Sequence, residues 1–374
     1  MSQAIYAQNV ADALIAYHET VLTDPGKVIN LSDKYRNSYY GQLESKRTKV
    51  QETEGKFYSL KYFINGYDNS QLDSFFKPDS ISRSDLGEEG KLYTSWYKTH
   101  YAVDRREPGW GKGATASQIF DYLELQATNM MSRFYERCER YLWDAPASPN
   151  DGSTADVQPW GIPSWVVGST TAAAGFNGIH ASGFSNQPDG LSRNTYPQLK
   201  NGTATSSGVN YGDFAKKASK LLDLMQWKPV KPASTDQMLN YDYEMVSGYE
   251  PYAQYSDLLR ASNDNLGADA GRYFGSATVP MGTQLFRGVI WSWCDALTSS
   301  TLPDGSTNPT YDSNLPVYLL NWSSWVNFTQ SAWNKRMDKP ITLDNPHNTV
   351  VQWLDHTYNI ACMNPRSNAV IRTA

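Results

Sequence analysis

One periodic run constrains this chain more than any other feature. Ile119, Leu123, Ala127, Met130, Phe134, Cys138, Tyr141 and Leu142 recur at three- and four-residue steps, the spacing of one apolar helix face. Gly109, Gly111 and Gly113 precede it, Thr115-Ala116-Ser117-Gln118 offers a capping box, and Pro146 and Pro149 stop it. The pattern predicts about 28 helical residues, on the order of 40 Å at ~1.5 Å per residue. Such a helix outspans a small domain, so other parts are expected to attach along it.

The flanking sequence is of a different kind. Ile5, Val10, Leu14, Tyr17 and Val21 predict a moderately amphipathic helix over residues 3 to 22, halted by Asp24-Pro25-Gly26. From Lys27 to Glu54 apolar residues are sparse and aperiodic, as in an extended arm ordered by something outside itself. KFYSLKYFI, ending at Asn65-Gly66, predicts a strand. KLYTSWYKTHYAV predicts another, with Tyr93, Tyr97, Tyr101 and Val103 on one face and Leu92, Trp96 and His100 on the other. Between them, Asn65 to Gly90 reads as a long polar loop, the kind that serves as a binding arm.

After the long helix the chain turns rich in Gly, Ser, Asn and Pro, with short aromatic strands such as Trp160 to Val167. Two shorter helices follow. One is predicted over Tyr211 to Trp227, with Phe214, Ala218, Leu221, Leu222 and Met225 inward and Pro229 as its stop. The other spans Ser256 to Leu266, N-capped at Ser256-Asp257 and closed by Gly267. The remainder reads as strands and loops. Helices and strands are segregated, which is an α+β pattern.

Composition removes several function classes. The net charge is -5 with acids and bases intermixed, and no basic patch or stripe of the kind that binds a nucleic-acid backbone is visible. Lys46, Arg47 and Lys49 are followed closely by Glu52 and Glu54 and read as a solvated face. Three cysteines, Cys138, Cys294 and Cys362, lack pair or metal spacing and read as small core residues of a reducing compartment. MSQAIYAQNVADALIAYHE lacks the basic start and apolar core of a secretory signal, and no apolar run approaches the ~20 residues of a membrane span. A soluble protein made in the cytoplasm is expected. Tyrosine and tryptophan, 25 and 12 of them, suit surfaces that become contacts, or a carbohydrate binder.

The search for chemistry is empty. GEEGK at 87 to 91 lacks P-loop spacing, GWGKG at 109 to 113 has no βαβ context, and neither GxSxG nor HExxH occurs. His18, His100, His180, His347 and His356 are scattered without metal spacing. Asp355-His356 with Ser323 or Ser324 imitates a triad only in sequence, and His356 reads instead as a hydrogen-bonded residue near an element end. Glu88-Glu89 lack the fixed separation across a cleft that glycoside hydrolysis needs. The sequons at Asn201 and Asn327 mean little without a secretion signal. Neither catalytic residue, cofactor nor metal is expected.

An ordered set of motifs points elsewhere. RFYERCERYLWDAPASP, PWGIPSW, GFNGIH, LMQWKPVKP, SDLLRASNDNLG, LPVYLLNWSSW and YNIACMNPRSNAVI run in order from about residue 133 to 371. With the arm, loop and long helix before them, they resemble the major capsid proteins of tailed phages with the Hong Kong 97 fold. That resemblance implies an N-terminal arm (1–55), an extended β-hairpin loop (56–107) and a peripheral domain (108–200) with spine helix 114–143. It further implies an axial domain (201–335) and a return to the peripheral domain (336–374), by a closing strand from Tyr358 to Ile371. It implies self-association into pentamers and hexamers of an icosahedral shell enclosing DNA without sequence-specific binding. Portal, scaffold and decoration proteins would be further partners, with no membrane.

Arms that cannot fold alone become ordered across neighbours, and Arg83, Asp85, Glu88, Glu89, Arg105 and Arg106 are the candidate inter-subunit contacts. An ordinary helix at the start implies no removed scaffolding segment. Lys77 and Lys91 lie in the loop, but no motif supplies a partner Asn for cross-linking. An encapsulin-like compartment shell shares the implied fold. A secreted glycan binder or glycoside hydrolase is the reading from another class.

Overall fold

The computed structural model describes residues 38–44, 49–53, 55–64, 87–104, 116–149, 158–180, 184, 186–226, 242–263, 284–302, 306–339, 341–342 and 349–373. The predicted helix at 3 to 22 with its stop, the capping box apart from its helical backbone, and residues 65 to 86 of the loop lie outside these.

The strands are β1 (Lys49–Thr53), β2 (Phe57–Phe63), β3 (Gly87–Tyr93), β4 (Ser95–Asp104) and β5 (Gly175–Gly178). They continue as β6 (Asn201–Thr205), β7 (Tyr243–Ser247), β8 (Gln284–Phe286), β9 (Val289–Trp293) and β10 (Pro316–Asn321). The last five are β11 (Trp325–Gln330), β12 (Arg336–Met337), β13 (Ile341–Thr342), β14 (Thr349–Cys362) and β15 (Ala369–Arg372). The longer helices are α1 (Ala116–Leu142), α2 (Phe214–Met225) and α3 (Tyr249–Asn263).

Among the described residues the strands form three sheets. In the first, β14 is the hub: antiparallel β4 runs along its first ten residues, while β13, β12 and β11 pair at successive positions on it. Parallel β1 extends that sheet beyond β11. Nearly every residue of β14 is buried, as expected of a strand covered on both faces. The second sheet has the order β5-β6-β15-β10-β7-β9-β8, and the third is the β2–β3 hairpin.

The long helix falls where its periodicity put it. Ala127, Met130, Phe134, Cys138 and Leu142 of α1 are buried, and 27 residues give a rod of about 40 Å. In α2, Phe214, Ala218, Leu221, Leu222 and Met225 are all buried, as expected. Asn210 Oδ1 accepts the N–H groups of Asp213 and Phe214, closing the free N-terminus of that helix.

Elsewhere tertiary context moved the boundaries. α3 begins at Tyr249, seven residues before the expected cap, because Pro251 sits in its first turn, where a missing N–H is harmless. The expected strand at Trp160 to Val167 is a helical turn over Ile162–Trp165, since Pro163 favours a helix start. Gly87 to Gly90, expected in the polar loop, are strand, held by antiparallel pairing of β3 with β2. The alternation across 92 to 103 breaks at Thr94: Tyr101 and Val103 point inward and Trp96 and His100 outward, but Leu92 is buried. The single closing strand is two strands in different sheets, β14 and β15, joined by a turn at Pro365–Ser367.

Residues 38–44 correct the picture of an arm needing something outside itself. Tyr39, Tyr40 and Leu43 lie in the protein's own core beside α1, around a helical turn at Tyr40–Gln42. Sparse apolar residues suffice there because two are large aromatics, with both backbone N–H groups and the Tyr39 hydroxyl finding partners inside.

Candidate functional site

Among the described residues, buried carboxylates are tied up by donors inside the fold. Glu139 on α1 is fully buried, and five donors converge on its carboxylate. Oε2 accepts Ser38 Oγ at 3.0 Å and the backbone N–H groups of Tyr39 and Tyr40 at 2.8 and 2.6 Å. Oε1 accepts Trp143 Nε1 at 2.8 Å and the Cys294 thiol at 3.4 Å. Burial pushes the Glu139 carboxyl above its usual range, and these hydrogen bonds oppose it.

A second buried carboxylate, Glu244 on β7, accepts the Tyr39 hydroxyl at 3.1 Å, Ser292 Oγ at 2.5 Å and Trp322 Nε1 at 2.7 Å. Tyr39 thus touches both carboxylates, and its ring packs against Trp143 and Trp322, which each serve one of them. The arm thereby links α1 to the seven-stranded sheet. Glu44 adds an ion pair to Lys335 at 2.5 Å, and the Lys335 ammonium also lies over the Tyr135 ring.

The hairpin is seated separately. Lys91 donates its N–H to the Asp189 carbonyl at 2.9 Å, and Gly90 lies so close that a Cβ there would come within 2.7 Å of the Asp189 Cβ. Nearby, buried Arg193 donates to Asn201 Oδ1 at 2.6 Å and to the Trp165 and Gly178 carbonyls.

The sequence candidates distribute as follows. Arg83, Asp85, Arg105 and Arg106 lie outside the described residues. Glu88 and Glu89 are successive residues of β3 and so face opposite sides of it. Exposed Glu89 accepts Ser59 Oγ at 2.5 Å, and Glu88 is paired with Tyr196. They are not brought together. Asp355 and His356 likewise diverge along β14. His356 is in mid-strand rather than near an end, buried, and its Nδ1 accepts the Lys335 N–H at 3.2 Å. Burial, with Lys335 adjacent, pushes it down to about 3. Ser324 Oγ donates to the Asn321 carbonyl, so no triad forms from these residues. The sequon asparagines Asn201 and Asn327 are buried in strands. Among the described residues no group of three or more His, Cys, Asp or Glu is placed to hold a metal, and all three cysteines are free and buried.

Two exposed features go beyond the sequence reading, which placed only Trp96 and His100 on one face. Trp96, Lys98 and His100 of β4 form an outward face with Trp353 and Trp333: Trp96 packs on Trp333, His100 on Trp353, and Lys98 lies over Trp353. On α1, Arg133, Arg137 and Arg140 share one side and line a cleft of about 630 Å³ with Glu136, Tyr97 and Thr307. No helix among the described residues is long and apolar enough to cross a membrane.

No protein-family model matches this chain, and no curated protein matches it in sequence. Solved structures do match. The asymmetric unit of the cyanophage A-1(L) capsid is 13% identical, covers 95% of this chain and 100% of its own, and has a TM-score of 0.56. The asymmetric unit of the bacteriophage PhiM1 mature capsid is 9% identical, with 93% and 90% covered and a TM-score of 0.50. The holo-SrpI encapsulin complex from Synechococcus elongatus PCC 7942 is a looser likeness, 12% identical over 96% and 94%, with a TM-score of 0.46. The fold is that of tailed-phage capsid proteins of the Hong Kong 97 type, as the ordered motifs implied.

Proposed function

We propose that this chain is a major capsid protein: a structural, non-enzymatic subunit that assembles with its own kind into pentamers and hexamers of an icosahedral shell enclosing DNA. The observation that carries the reading is the likeness to a capsid subunit along nearly the whole of both chains. It is supported by the inward use of polar side chains: Glu139, Glu244, Arg193 and His356 all serve the fold.

On this reading residues 1–55 are the arm and 56–107 the extended loop. Residues 108–200 are the peripheral domain, 201–335 the axial domain, and 336–374 the return to the peripheral domain. Arg83, Asp85, Glu88, Glu89, Arg105 and Arg106 would meet neighbouring copies. Portal, scaffold and decoration proteins would be the other partners, and the place of the protein is the virion shell, assembled in the host cytoplasm. Exposed ion pairs contribute only ~0 to 1 kcal/mol each, but a closed shell repeats each of them many times.

The test is negative-stain electron microscopy with sedimentation on the purified protein, alone and with a candidate scaffold. Rings of five or six, or closed shells, are expected. A stable monomer or dimer under both conditions would overturn the reading.

A further inference from the structure

The outward side of α1 carries more positive charge than the fold uses. Arg133, Arg137 and Arg140 follow at steps of four and three residues, which places them on one face over about 10 Å of helix. Arg133 is paired with Glu136 at 2.5 Å. Arg137 is exposed, and among the described residues its guanidinium has no acceptor; it only lies 5.4 Å from the Tyr141 ring centre. Arg140 has its Nε buried without a hydrogen-bond partner, and the half-buried Asp144 feels its charge. Glu136, Tyr97 and Thr307, which forms an isolated bridge to Thr301, also line the cleft. Burial holds the Tyr97 phenol protonated, up to about 12, so at neutral pH its hydroxyl keeps its proton.

We propose that this cleft is a binding site for phosphoryl oxyanions. Two guanidiniums without an acidic hydrogen-bond partner, a third shared with one carboxylate, and a tyrosine offer more donors than a single carboxylate accepts. A phosphoryl group, with several acceptor oxygens, matches forked guanidinium donors. The volume, about 630 Å³, is in the range of ligand pockets and exceeds the needs of one ion. One strand of a duplex carries a phosphate per ~3.4 Å of rise, so the ~10 Å array spans two or three of them. The same chemistry has two sources, a nucleic-acid backbone or free inorganic phosphate. Contacts of this kind are independent of base sequence.

The test uses the full chain, Arg137→Gln and, as a control on the exposed face of α2, Lys216→Gln. Binding of a labelled 20-base-pair duplex is followed by fluorescence anisotropy across a salt series. Inorganic phosphate is titrated by thermal shift against chloride at matched ionic strength. Arg137→Gln is expected to weaken binding about tenfold and to lower the log–log salt slope by ~0.9, while Lys216→Gln leaves both unchanged. Loss confined to the duplex assigns the site to nucleic acid; loss confined to phosphate assigns it to the free ion; either supports the proposal. Because Arg137 is exposed, circular dichroism of the variant should match the parent. Binding that ignores Arg137, no binding of either probe, or preferential binding of a polyglutamate peptide would each overturn it. Sedimentation reads assembly separately, so failure here is distinguishable from failure of the shell reading.

Discussion

The backbone N–H of Tyr39 lies 2.8 Å from the carboxylate of Glu139, a hundred residues further along the chain. The same tyrosine reaches Glu244 with its hydroxyl, so one residue of the arm ties α1 to the second sheet. Removing the hydroxyl leaves a buried carboxylate one donor short. Tyr39→Phe should therefore destabilise the protein by about 1 to 3 kcal/mol, read from urea unfolding. An unchanged midpoint would mean that the arm does not tie the sheet.

Glu139 itself tolerates no amide. Three donors converge on one oxygen and two on the other, so the NH2 of Glu139→Gln must oppose at least one set. A loss of about 3 kcal/mol or more is expected, with Trp143 fluorescence reporting loosened packing. A neutral effect would show that the carboxylate is already protonated and its partners adaptable.

The sequence made α1 legible to within two residues at each end, because its period and its stops agree. The motif set was legible as a resemblance, but not the contacts some of its segments make, several of which are joints. Trp160 N–H meets Asn359 Oδ1, and Trp165 Nε1 meets the Ile360 carbonyl. Asn368 Oδ1 accepts the Asn321 N–H and Trp325 Nε1. Gly87-Glu88-Glu89-Gly90 carries little strand propensity, and only pairing with β2 makes it strand. Glu139 looked like any helix polar residue because its partners come from 38–40, 143 and 294. The arginine face escaped the search for a basic patch, since Phe134, Tyr135, Glu136, Cys138 and Glu139 separate its members and the two glutamates make the run look mixed.

His356 gives the acid side of stability a recognisable slope. Its folded value is about 3 against an ordinary 6.5, so the folded protein binds fewer protons than the unfolded chain between those values. Stability is then fully present above pH 6.5 and falls as pH drops toward 3. By pH 5 the loss from this residue alone is about 2 kcal/mol. His356→Asn keeps an acceptor for the Lys335 N–H and removes the titration, so its stability relative to the parent should improve by that amount from pH 7 to 5. Parallel pH profiles for the two proteins would rule this out.

Gly161 is needed for space rather than for backbone freedom, since its φ is -90°. A Cβ there would lie 2.8 Å from the Leu142 carbonyl oxygen and closer still to those of Tyr141 and Asp144, at the end of α1. These are backbone atoms at the end of a packed helix and cannot swing aside. Gly161→Ala should cost about 1 to 3 kcal/mol by overpacking, read in a thermal melt. Gly41→Ala makes the contrast, because nothing lies within 4 Å of a Cβ there.

Gly90 makes the corresponding prediction for assembly. Its neighbour Lys91 hydrogen-bonds the Asp189 carbonyl, and an added methyl would press on the Asp189 side chain and backbone. Leu60, Tyr62 and Leu92 also anchor the hairpin in the main core, so the contact at Gly90 is one of several that hold it. Gly90→Ala should therefore lower the unfolding midpoint and, in addition, increase protease cleavage in the β2–β3 segment. If this hairpin lies across a neighbouring copy in the shell, the variant should also form fewer rings or shells by sedimentation. Normal assembly with a loosened hairpin would show that its seating on Asp189 matters only within the subunit.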